Sequence, residues 1–179
     1  MLPDRAGIWA ASIIICATAG VVFWSVVADR LAQRDIRWRM LTPAACCIAT
    51  LAIFATAFGA LAPGPPQIGV IALGAFLMGS TTGPVPAVAI DVVHPALRST
   101  AGSMVAIVQN LFGLGVGPLI AGALSDKFGL QTAMAIVPLS CACAAALLVI
   151  GARSYKQDRD AMADLQLRAE TSNTALAVA

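Results

Sequence analysis

The sequence predicts an all-α protein, a polytopic bundle of about five transmembrane helices. Composition, the recurrence of long uncharged runs and the uneven placement of basic residues all point to it. Of 179 residues, 59% are hydrophobic and only 11% charged, against roughly 25% charged in an ordinary soluble domain. Mean hydropathy is +0.86. A bilayer core about 30 Å thick takes about 20 apolar residues of helix, and uncharged runs of that length recur at 8–28, 40–61, 68–90, 101–124 and 130–152.

The first run contains "IIICATAG", which resembles the short apolar region and A-x-A site of a signal peptide. The run continues through "VVFWSVVA", too long for a signal peptide, and Asp4 beside a single Arg5 makes a weak positive flank. It is therefore taken as a span. A basic break, "DRLAQRDIRWR", leads to the second span, and "APGPPQ" leads from the second to the third.

The third span carries "GSTTGPVPA", Gly79 to Ala87. Pro84 and Pro86 have no amide hydrogen, so the carbonyls of Ser80 and Thr82 lose their helical partners and a kink is expected. Hydroxyls of Ser80, Thr81 or Thr82, water, or a neighbouring helix must then satisfy them, because an unpaired carbonyl costs several kcal/mol in hydrocarbon. Interrupted helices near the midplane point to transport sites. A static kink explains the same residues.

The fourth span reads "QNLFGLGVGPLIAG" from Gln109 to Gly122, with Pro118 as a further kink candidate. At α-helical spacing Ser103, Ala106, Asn110, Gly113, Gly117 and Ala121 fall on one stripe, opposite Met104, Val108, Phe112 and Leu119. Small residues let helix backbones approach closely in lipid, so the expectation is a helix-packing face through Ser103, Gly113, Gly117 and Ala121. Gln109 and Asn110 fit two roles, as glue between helices or as residues on a substrate path. After the fifth span, residues 153–179 read as a polar cytoplasmic tail.

Lys and Arg gather on the cytoplasmic side of short loops. With alternating spans, one side holds Arg30, Arg34, Arg37, Arg39, Arg98, Arg153, Lys156, Arg159 and Arg168, and the other only Arg5 and Lys127. This places the N-terminus outside and the C-terminus in the cytoplasm. The basic residues are thereby used as topology signals, and the net charge of +2 calls for no nucleic-acid partner.

Enzymatic chemistry is not expected. No span contains a His or Lys to serve as a base for a nucleophile, so no catalytic residue is assigned. The five cysteines fall inside spans without a C-x-x-C pair, and His94 is the sole histidine. They read as small buried residues, with no metal and no cofactor. Asp91 and Asp126, at span ends, read as cap or loop residues.

"VVADRLAQRDIRWRMLTPA" and, later, "HPALRSTAGSMVAIVQNLFGLGVGPLIAGALSDKFG" together resemble the major facilitator superfamily, most closely its Spinster-like members. The first piece is similar to the loop between the eighth and ninth helices. The second is similar to the tenth loop, the eleventh helix and the turn into the twelfth. The chain departs from the family at Trp24, Ser25, Ala32 and Gln33, where glycines are usual. The resemblance implies the last five helices of the C-terminal six-helix half. It also implies contacts at Asp29, Arg30 and Arg34 that change between inward-open and outward-open states.

The function so expected is that of the C-terminal portion of a secondary transporter. It would move a small organic or amphipathic solute by alternating access, with Ser80, Thr81, Thr82, Gln109 and Asn110 on the path. Its partners would be the bilayer, the substrate, and either a missing N-terminal half or another copy of the chain; its place would be a bacterial inner (plasma) membrane. The competing expectation is a truncated or accessory membrane protein that does not transport alone and acts by helix–helix association.

Overall fold

The computed structural model describes residues 3–59, 61 and 64–178. Among them every regular element is helical: α1 (Pro3–Ala32), α2 (Trp38–Gly59), α3 (Pro65–Thr82), α4 (Pro84–Asp91), α5 (Arg98–Val108), α6 (Gly117–Phe128), α7 (Leu130–Ile136) and α8 (Leu139–Val178). A 3₁₀ turn covers Pro95–Leu97 and a π-helix covers Gln109–Val116. Five stretches are long and apolar enough to cross a membrane: Gly7–Ala32, Trp38–Gly59, Pro65–Asp91, Pro95–Phe128 and Thr132–Leu165. This is the architecture of an integral multi-pass membrane protein. Each overlaps one expected span, although Ala60 of the second, and Ala62 and Pro63 of the following loop, lie outside the described residues.

The breaks follow backbone chemistry. The third span divides at Gly83, and Pro84 opens α4, where a missing amide hydrogen costs no intrahelical bond. The fifth divides between α7 and α8 at Val137 and Pro138, a break that was not expected. Pro43, by contrast, lies inside α2 and is buried.

The polar tail is helical as far as it is described. Residues 153–178 continue α8, with Arg168 and Asp164 paired one turn apart at 3.3 Å. No Gly or Pro follows Gly151, and Ala, Gln, Arg and Leu are good helix formers, so nothing local stops the helix. Ala179 lies outside the described residues.

Packing is uneven. The α2–α8 interface buries Ala44, Cys47, Cys141, Ala145 and Leu148, with Met40, Leu51 and Val149 against them. Gly151 belongs to the same seam: a Cβ there would come within 2.6 Å of Met40 Cε. At the α1–α3 crossing the backbones themselves meet. A Cβ on Gly20 would run into the backbone of Phe76, and one on Gly79 would lie 2.5 Å from the Val21 nitrogen. A Cβ on Gly83, at the break between α3 and α4, would meet the Ser25 side chain of α1.

The expected stripe on the fourth span finds no such neighbour. Nothing lies within 4 Å of a Cβ built on Gly113, and the nearest atom to one on Gly117 belongs to its own helix. Ser103 and Asn110 are exposed, and the apolar window of this span has no buried residue. The spacing argument also fails locally, because Gln109–Val116 are wound as a π-helix, shown by the Gly117 N–H donating to the Phe112 carbonyl. Wider i→i+5 turns rotate each residue less, so residues an α-helix would align fall out of register.

Two side-chain effects favour the winding. The Asn110 side-chain amide donates to the Ala106 carbonyl at 2.7 Å, the acceptor an α-helix would offer to Asn110's own N–H. Pro118, in the first turn of α6, has no hydrogen for the Leu114 carbonyl. The kink expected at Pro118 is thus a π-to-α junction.

Candidate functional site

Alternating spans bring the ends of α1, the start of α2, the end of α4 and the middle of α8 to one end of the bundle. Each contributes a polar group. Asp29 lies in the last turn of α1, Arg39 in the first turn of α2, Asp91 ends α4, and Tyr155 sits one helical turn beyond Gly151 on the α8 seam.

Arg39 holds the group together. Its Nη2 donates to Asp29 Oδ1 at 3.0 Å and its Nη1 to Asp91 Oδ2 in a short ion pair. The Tyr155 hydroxyl donates to the same Asp91 oxygen at 3.1 Å. The two ion pairs are not equivalent. The Asp91 side chain is 32% exposed and is joined by the buried Tyr155, whereas the Asp29 side chain is 58% exposed. Exposed pairs contribute about 0–1 kcal/mol, because water competes for both charges. The Arg39–Asp91–Tyr155 arm therefore carries most of the cluster's energy.

The cluster is bordered by two cavities. One of about 100 Å³ is lined by Ser25, Asp29, Arg39, Gly83, Pro84 and Ala87. Another of about 300 Å³ is lined by Arg39, Asp91, Arg98, Arg159, Met162 and Ala163. Arg39 faces both, a charged wall between two spaces.

Of the loop residues expected to switch, only Asp29 takes part. Arg30 and Arg34 are exposed and make no ion pair with a described residue, and Arg34 instead lines a separate cavity with Asp35, Lys156 and Arg159. Arg39 replaces them because it lies on the first turn of α2, facing the bundle, while the loop points outward. Asp91 is likewise more than a cap, since its carboxylate bonds to two other spans. A signal for both was present: residues 29, 39 and 91 lie within one position of expected span ends on the same side, with complementary charge.

The expected path residues do not converge. Ser80 is fully buried and its hydroxyl has no partner among the described residues. The Thr81 hydroxyl donates to the Met78 carbonyl at 3.0 Å, and Thr82 is exposed. Thr81 also lines a cavity of about 360 Å³ with Cys47, Met78, Val85, Ser140, Cys141 and three further α8 residues. Gln109 and Asn110 are exposed on the fourth span. Among the described residues no group of His, Cys, Asp and Glu is arranged to hold a metal ion.

Compared with family models, curated proteins and solved structures, the chain matches none.

Proposed function

We propose that this chain forms part of a secondary transporter of the major facilitator type, moving a small organic or amphipathic solute by rocking of helix bundles. The Asp29–Arg39–Asp91–Tyr155 cluster carries the proposal, because it ties four spans together at the end where the resembling sequences place their state-dependent contacts. A latch of this kind must be strong enough to hold one state and weak enough to open, and partly exposed charge pairs of modest energy meet that demand. The basic residues favour a cytoplasmic position for the latch in a bacterial inner (plasma) membrane, with the N-terminus outside. Thr81, on the membrane cavity, is the path candidate with space beside it.

A second reading, an accessory bundle without transport of its own, is favoured by the unburied fourth span. Crosslinking the full chain in its native membrane and reconstituting the captured complex distinguishes the two. The transport reading expects a defined complex that moves an amphipathic solute, with flux reduced at least about tenfold by Asp91→Asn while insertion persists. A complex without flux leaves only the accessory reading.

A further inference from the structure

We infer that the cavity between α2, α4, α5 and α8 binds a phosphate-bearing anion, through Arg39, Arg98 and Arg159. Its lining carries three guanidinium groups against the single carboxylate of Asp91. That carboxylate is already engaged by Arg39 and Tyr155. Arg98 and Arg159 make no ion pair with a described residue, yet the fold brings them from the first turn of α5 and the extended part of α8 to one cavity.

Like charges gathered around a cavity repel unless a counter-charge sits among them, and guanidinium forks match phosphate oxygens in paired hydrogen bonds. The volume, about 300 Å³, accommodates a phosphate with a small polar substituent. Met162 and Ala163, three and four residues after Arg159, give α8 an apolar wall beside the charges. Basic pockets at the membrane surface between spans commonly hold anionic lipid head groups, and a free phosphate would satisfy the same donors. The inference does not depend on transport.

The full chain is placed in nanodiscs of phosphatidylcholine containing a minor fraction of phosphatidylglycerol, and bound lipid is counted by native mass spectrometry. In a second arm, inorganic phosphate is titrated into the chain in pure phosphatidylcholine nanodiscs. Wild type is expected to retain phosphatidylglycerol at least about tenfold more tightly than Arg98→Gln/Arg159→Gln, as loss of charge-assisted hydrogen bonds implies. Arg153→Gln/Arg168→Gln, outside the cavity, should match wild type. Retention of phosphatidylglycerol identifies a lipid site, and phosphate binding without it identifies a site for a soluble phosphorylated anion. Either supports the inference provided the cavity variant loses it. Both altered residues are exposed, so folding should survive; should the double variant not insert, Arg159→Gln alone is tested the same way. Equal retention by wild type and cavity variant, with phosphate binding to neither, overturns it.

Discussion

The α1–α3 crossing and the fourth span both carry glycines inside apolar text, yet they behave differently. At Gly20 and Gly79 the glycine hydrogens face another backbone, and no larger residue fits. At Gly113 the same residue type faces open space. A run of small residues in a membrane helix therefore records a capacity for close approach; which surface uses it depends on the neighbours available and on the winding of the helix. The widest departure from α-geometry occurs in the span with the fewest tertiary contacts to correct it.

This contrast is tested most strongly by enlarging one glycine in each region. Gly79→Leu must push α1 away along its length and should destabilise the bundle by about 3 kcal/mol or more, the upper range for overpacking. Gly113→Leu in the same chain should stay within about 0.5 kcal/mol, as for an exposed substitution. Unfolding from mixed micelles, followed by circular dichroism, measures both. Equal effects would mean that the fourth span packs as tightly as the first and third.

The sequence made the span count legible because hydrocarbon demands a fixed length of uncharged helix, and that demand is strong and local. Proline chemistry made the break near Pro84 legible as well. The charge cluster was half legible: topology placed Asp29, Arg39 and Asp91 at one level, but choosing Arg39 over Arg30 and Arg34 required knowing which way the first turn of α2 faces. The stripe around Gly113 and Gly117 has no neighbour within the chain, and its α-helical period does not hold where Asn110 and Pro118 together favour π winding. Polarity beyond Arg153 marks the end of the span and leaves the backbone free to continue as helix, which the run of helix formers without Gly or Pro allows.

Within the packed region, the two arms of Arg39 offer a finer comparison. Arg39→Ala leaves two carboxylates without their partner and should cost about 2 kcal/mol, below the range for fully buried pairs because water reaches the site. Asp91→Asn should cost more than Asp29→Asn, the latter staying within about 1 kcal/mol as an exposed pair does. A double-mutant cycle on Arg39 with each aspartate isolates the two couplings. A larger coupling to Asp29 would reverse the ranking drawn from exposure.

Tyr155→Phe removes only the hydroxyl from a side chain that stays buried against α2. Its hydrogen bond to a charged acceptor should be worth about 1.5 kcal/mol. The ring continues to fill its place, so the α2–α8 seam should remain closed and the loss should disappear in the Asp91→Asn background. Persistence of the loss there would assign Tyr155 to packing and take it out of the cluster.

The smallest effect belongs to the unpacked region. Asn110→Ala removes the amide that occupies the Ala106 carbonyl and returns that acceptor to the backbone, while Ala is the strongest helix former. Stability should change by no more than about 0.5 kcal/mol, because the side chain is exposed and its hydrogen bond stays within its own helix. Geometry should change more than energy. If the competing amide drives the π turn, spin labels placed on either side of Gln109–Val116 should move apart and rotate towards α-helical register. Unchanged distances would leave Pro118 as the sole cause, and Pro118→Ala would then be the variant that straightens the fourth span.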